Sequence, residues 1–67
     1  MRVYVNDQPK MLPVTVQNIA DLLEHLSIKT AGTAVAVNGK IVRRENWPVS
    51  NLNEEDKIMI ISAAYGG

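Results

Sequence analysis

The hydrophobic pattern of this chain changes period twice. From Met1 to Asn6, the residues Met1, Val3 and Val5 alternate with Arg2, Tyr4 and Asn6, the period of a half-buried strand. Asn6-Asp7-Gln8-Pro9 carries turn chemistry. Lys10 to Val16 then resumes the alternation, with Leu12, Val14 and Val16 sharing a face. Pro13 has no N–H to give a ladder, which places this second strand at a sheet edge. Next the period lengthens: Ile19, Leu22, Leu23 and Leu26 form one helical stripe, predicting a helix over 18–26. Asn18 suits its N-cap and Asp21 its positive first turn. Ser27 to Gly32 reads as loop.

The period of two returns at Thr33 to Asn38, with Val35 and Val37 on one face and Ala34 and Ala36 on the other. Asn38-Gly39 is a strong hairpin signal, so Ile41 to Arg44 should run back antiparallel. Pro48 to Asn53 reads as irregular with Leu52 turned inward, Glu54-Glu55-Asp56 as an exposed acidic turn, and Lys57 to Ala63 as the last strand. Two strands, a helix and three strands make an α+β domain, and one helix covers only one face of such a sheet. The last strand is apolar on both sides, Ile58 and Ile60 against Met59 and Ile61, which predicts a central position. The uncovered face should then carry Tyr4, Ala34, Ala36, Met59 and Ile61, a low-charge patch of the kind that marks a partner surface.

Composition narrows the function classes. The 67 residues allow one small domain, read as residues 1–63 followed by a flexible tail at 64–67. A chain of this size buries only about 60% of its unfolded surface. There is no cysteine, hence no disulfide and no thiolate metal site, and the 46% of apolar residues must build the core alone. Seven basic residues balance seven acidic ones, which leaves no field for nucleic acid. No apolar stretch is long enough to cross a bilayer, and no basic-then-apolar leader opens the chain. The expectation is a cytoplasmic protein bound to neither membrane nor nucleic acid.

Catalytic chemistry finds little footing. His25, the only histidine, lies off the helical stripe and reads as a solvated residue rather than a base or ligand. Ser27, Ser50 and Ser62 sit in no nucleophile motif, and Asn38-Gly39-Lys40 is too short for a phosphate loop. What remains is Ala64, Tyr65, Gly66 and Gly67. Four residues reach about 13 Å at most, small enough to enter a narrow channel, with Tyr65 able to anchor in a pocket. A carboxylate on Gly67 becomes electrophilic once ATP turns one of its oxygens into a leaving group. A loose chain end is the plainer reading of the same residues.

A small strand-and-helix domain ending in Gly-Gly resembles the ubiquitin-like β-grasp proteins. Within them it is similar to the ThiS family of sulfur carriers of thiamine biosynthesis. The likeness spans the chain and rests on Ala36-Val37-Asn38-Gly39, then Val42, Arg44 and Trp47, then Leu52 before an acidic turn, and Gly66-Gly67. It implies a mixed sheet in the order 2-1-5-3-4, with strands one and five parallel. It implies no catalytic residue and no bound cofactor or metal. An E1-like, ThiF-like enzyme would consume ATP to adenylate Gly67, and a sulfur-transfer enzyme would make the thiocarboxylate. A ThiG-like thiazole synthase would take the sulfur. The lack of cysteine fits, since sulfur would ride on the terminal carbonyl. The resemblance also implies glycine where Glu55 stands, so Glu55 must avoid a left-handed backbone or accept its cost.

Partner contacts are expected at Tyr4, Ala36, Met59, Ile61 and Arg44. Arg43 and Arg44 read as solvated strand residues able to meet acidic groups on an activating enzyme. Trp47 admits two readings, a partner hot spot or packing over the hairpin with Pro48 fixing the turn, and packing is favoured. Two other functions stay open. One is the small sulfur-carrier subunit of molybdopterin synthase, although Ile61-Ser62-Ala63-Ala64 lacks the aromatic and proline residues common before that tail. The other is a ubiquitin-like binding module or modifier acting through the sheet face.

Overall fold

Two asparagine-led turns set the register of the sheet. In the computed structural model, which describes residues 1–62, β1 (Arg2–Val5) and β2 (Gln8–Met11) pair antiparallel with Val5 opposite Gln8. Only Asn6 and Asp7 remain for the turn, at φ +50° and +70°. β3 (Thr33–Val37) and β4 (Lys40–Val42) pair with Val37 opposite Lys40, leaving Asn38 and Gly39 at φ +51° and +85°. Two positive φ angles in a two-residue loop match the right-handed twist of the flanking strands, and Asn, Asp and Gly tolerate that region best.

The first turn is therefore shorter than the sequence reading, and the second strand ends earlier than Val16. Pro9, not Pro13, is the strand proline. It faces Tyr4 at a non-hydrogen-bonded position of edge strand β2, where its missing N–H costs nothing. After Met11 the chain leaves the sheet. Leu12 and Val16 drop into the core from a turned segment, closed by Val16 N–H donating to the Pro13 carbonyl at 3.0 Å, while Val14 stays 86% exposed.

β5 (Lys57–Ser62) runs parallel to β1 and antiparallel to β3, giving the order β2-β1-β5-β3-β4 that the resemblance implies. Ala63, the predicted last strand residue, and the tail at 64–67 lie outside the described residues, as does the domain boundary between them. The helix α1 (Ile19–His25) is one residue shorter at each end than predicted. Its cap is the expected one: the Asn18 side chain accepts from Asp21 N–H at 2.8 Å, and the Asp21 carboxylate accepts in return from Gln17 N–H at 3.0 Å. Ile19, Leu22 and Leu23 are buried, each worth about 1.5–3 kcal/mol. So short a helix exists only on the sheet it covers. Against it lie Val3, Val5, Val35, Ile58 and Ile60 from the strands, closed off by Leu12, Val16, Trp47 and Leu52.

Between β4 and β5 the chain is more regular than its sequence suggests. Arg44–Val49 is a 3-10 helix with Pro48 inside it. Arg44 is thus not a strand residue. Trp47 is buried and its indole N–H donates to the Val42 carbonyl at 2.9 Å, so it packs over the hairpin rather than waiting for a partner. The segment beyond is fastened to the helix start. Ile19 N–H, an orphan donor of the first turn, donates to the Ser50 carbonyl at 3.1 Å, and Leu52 N–H donates to the Gln17 carbonyl at 2.9 Å.

The acidic turn is not uniformly exposed. Glu54 and Glu55 face solvent, but Asp56 is buried and accepts from Asn53 N–H at 2.8 Å and from the Asn38 amide at 3.0 Å. Glu55 accepts the left-handed backbone at φ +69°. Its carboxylate pairs with the Arg2 guanidinium, including a 3.1 Å bond from Nε. That hydrogen bond, then the charge itself, holds the Glu55 carboxyl below its ordinary range against an opposing desolvation, and raises Arg2 in turn. A lowered carboxyl stabilises the fold fully above the ordinary glutamate range. The contribution fades as pH falls through that range and is gone below the folded-state value. Glu55→Gln should therefore lower the urea midpoint slightly at pH 7 and leave it unchanged near pH 2. A difference that persists in acid would assign the effect to the turn backbone instead.

Candidate functional site

Side-chain alternation and the two short turns build one apolar face opposite the helix. Met59 stands beside Ala36, and Ala36 beside Ile41 on β4; Ile61 stands beside Ala34 one step along. Across β5, Tyr4 lines up with Lys57 on the same side. Met59 is 44% and Ile61 59% exposed, whereas Ile58 and Ile60 of the same strand are buried against the helix. The face predicted from alternation is therefore open to solvent.

Of the predicted partner residues, Tyr4, Ala36 and Met59 come together. With Gly39 and Lys57 they line a shallow hollow of about 330 Å³. Ile61 lies two residues further along β5, toward the chain end. Arg44 is not part of this hollow; it opens the 3-10 helix beyond β4 and is exposed. Gly39 sits at φ +85° with nothing within 4 Å of where a Cβ would stand, so its glycine serves the turn and not a close approach. The guanidinium carbon of Arg2 lies 5.7 Å from the centroid of the Tyr4 ring, which orients that ring at one margin of the face.

Sequence reasoning missed two apolar members. Ile41 is 71% exposed opposite Ala36, and Met11 is 73% exposed opposite Arg2. Both were legible in principle: a two-residue loop fixes the partner of every residue beyond it.

Among the described residues, no group of three or more His, Cys, Asp or Glu could hold a metal ion. His25 is exposed near the C-terminal end of α1, away from the apolar face. Every buried side-chain nitrogen or oxygen among the described residues has a hydrogen-bond partner, so none is held in reserve for a ligand. No helix among the described residues is long and apolar enough to cross a membrane. Ala64, Tyr65, Gly66 and Gly67, the tail expected to meet enzymes, lie beyond the last described residue, Ser62, at the end of β5.

Comparison with known proteins bears on the family and the fold. The family model described as ThiS family matches residues 2–67. The sulfur carrier protein ThiS of Escherichia coli K12 is 36% identical over 67 residues, covering 100% of both chains. The crystal structure of the thiamine biosynthesis protein ThiS from Geobacter metallireducens superposes with a TM-score of 0.82 at 23% identity, over 92% of this chain and 93% of that one. A solution structure of a thiamine biosynthesis protein from the same organism gives 0.75 at 24% identity, over 91% and 81%. Those two likenesses speak for the fold.

Proposed function

The chain belongs to the ThiS family, and from that premise we propose that it is a sulfur carrier of thiamine biosynthesis whose reactive group is the carboxylate of Gly67. The domain acts as a protein co-substrate and not as an enzyme. An E1-like, ThiF-like enzyme joins the Gly67 carboxylate to AMP with release of pyrophosphate. Sulfur at the sulfide level, delivered by a sulfur-transfer enzyme, attacks the acyl carbon and displaces AMP to leave a thiocarboxylate, and a ThiG-like thiazole synthase receives the sulfur. ATP belongs to the activating partner.

The observation that carries this reading is the division of the molecule. Among the described residues every buried side-chain nitrogen or oxygen has a hydrogen-bond partner and no group of three or more His, Cys, Asp or Glu could hold a metal ion, while β5 presents an open apolar face on the strand that precedes Gly66-Gly67 in sequence. The family match extends through Gly67, the residue on which the chemistry depends.

Incubation with ATP and the cognate activating enzyme should yield an adenylate at Gly67. In cells carrying the pathway, part of the protein should be heavier by one oxygen-to-sulfur exchange. Intact-mass spectrometry reads both, and a protein that stays unmodified under both conditions contradicts the reading.

The open face supplies docking. A glutamate at position 59 would carry a charge into any apolar interface formed over Ala36 and Ile41. Met59→Glu should weaken binding to the activating enzyme by at least about tenfold, raising KM more than it lowers kcat. Because Met59 is already solvent-exposed, the urea midpoint should hardly move. Normal KM in this variant would place docking elsewhere. Loss of partner binding together with normal adenylation would instead favour a non-covalent binding module.

A further inference from the structure

The end of β5 is held on one side by an arrangement that strand pairing alone does not supply. β1 pairs with β5 at Tyr4↔Lys57 and Val5↔Ile58, then turns away into its hairpin. β5 continues to Ser62, still paired on its other side to β3 through Thr33↔Ser62. Where β1 departs, Asn6 takes its place. Asn6 N–H donates to the Ile58 carbonyl at 2.8 Å. Its side-chain oxygen accepts from Ile60 N–H at 2.8 Å, and its side-chain nitrogen donates to the Ile60 carbonyl at 3.2 Å. The carboxamide thus satisfies both backbone groups of Ile60, which in a continuing parallel β1 would be met by two different residues.

Few side chains can do this. The backbone stands at φ +50°, a region asparagine tolerates better than most residues. The head group must donate and accept at once, which a carboxamide does and a carboxylate does not. Glycine keeps the turn and loses both bonds; aspartate keeps only the acceptor.

We propose that Asn6 is a positioning residue for the reactive tail: by clamping Ile60 it keeps β5 in the sheet as far as Ser62, so that the point from which the chain runs on toward Gly67 is fixed. This rests on the sulfur-carrier reading. Ile60 lies two residues before Ser62, the last described residue of β5. An end that is ordered before binding loses less freedom on entering an enzyme channel, and less of the interaction energy is spent on ordering it.

The test uses full-length Asn6→Gly and Asn6→Asp at a temperature where both are fully folded. Amide hydrogen exchange, read by NMR, should quicken at Ile60, Ile61 and Ser62 in Asn6→Gly, with Leu22 and Val35 as protected as in the unaltered protein. The kcat/KM for adenylation should fall about three- to tenfold, while affinity for the activating enzyme without ATP stays unchanged. Asn6→Asp, which keeps the bond from Ile60 N–H, should fall between the two proteins in both readouts, and it carries the test should Asn6→Gly not fold. Unchanged exchange at Ile60, exchange raised evenly across the sheet, or normal kcat/KM despite a loosened strand end would each overturn the proposal. Failure of the unaltered protein to accept AMP would overturn the carrier reading and this role with it; the exchange data would still report whether Asn6 clamps β5.

Discussion

Removal of Gly67 is expected to cut adenylation by at least about a hundredfold and to leave the urea midpoint where it was. The truncated chain still ends in glycine and still carries a terminal carboxylate, so chemistry alone does not predict the loss. Geometry does. One residue of extended chain spans about 3.5 Å, and the carboxylate of Gly66 would stop that far short of the nucleotide when the domain is docked. A displacement of only 1 Å in a bound reactant costs about a hundredfold. An added third glycine should fail for the opposite reason. The urea midpoint checks that the core, which among the described residues runs from Val3 to Ile60, is untouched. Intact mass after incubation with ATP and the activating enzyme measures the outcome. A truncated protein that accepts AMP normally would remove the carboxylate of Gly67 from the mechanism. Read beside Met59→Glu, the pair separates the two parts of the molecule: the face variant should act mainly on KM, the tail variant on the chemical step.

Much of this architecture was legible from periodicity. The helix stripe Ile19, Leu22, Leu23 and Leu26, the Asn18 cap and the Asn38-Gly39 hairpin each appear where the pattern puts them, because each depends on residues close in sequence. The open face followed from the apolar alternation of β5. The errors fall where long-range packing overrode a local pattern. Leu12, Val14 and Val16 alternate as a strand would, yet Leu12 and Val16 reach the core from a turned segment and Val14 remains outside. Pro9 belongs to β2 because the turn needs only Asn6 and Asp7, whereas turn chemistry in the sequence runs on through Gln8 and Pro9. Arg44 looked like the end of a strand, but the burial of Trp47 winds that segment into a 3-10 helix.

Long-range polar contacts were the least legible. Asp56 sits in an acidic run and reads as solvated, because nothing within a few residues announces its distant acceptor role. Its partner Asn38 lies 18 residues away and reaches it only because β3 and β5 are paired. The same holds for Asn6, 54 residues from Ile60. Both asparagines form turns, and both also use their carboxamides on β5.

Asp56→Ala should be the most destabilising single polar substitution in the described domain, by about 2–4 kcal/mol. Its carboxylate accepts from Asn53 N–H at 2.8 Å and from Asn38 Nδ2 at 3.0 Å, and alanine leaves both donors without an acceptor. The loss spreads further because the Asn38 side chain also accepts from Lys57 N–H at 3.0 Å, and the Asp56 carbonyl accepts from Tyr4 N–H at 2.9 Å. One residue therefore ties β1, the β3–β4 turn and the start of β5 together. For a domain of 67 residues, total stability is about 3–10 kcal/mol, so the loss is a large share of it. Asp56→Asn keeps the shape and one acceptor oxygen and should cost roughly half as much. Urea unfolding of the three proteins measures the series, and a midpoint for Asp56→Ala equal to that of the unaltered protein would show that water replaces the carboxylate at no cost. The functional consequence follows from the place of the knot. It anchors the beginning of β5, Asn6 anchors its end, and the strand between them bears the open apolar face formed by Met59 and Ile61.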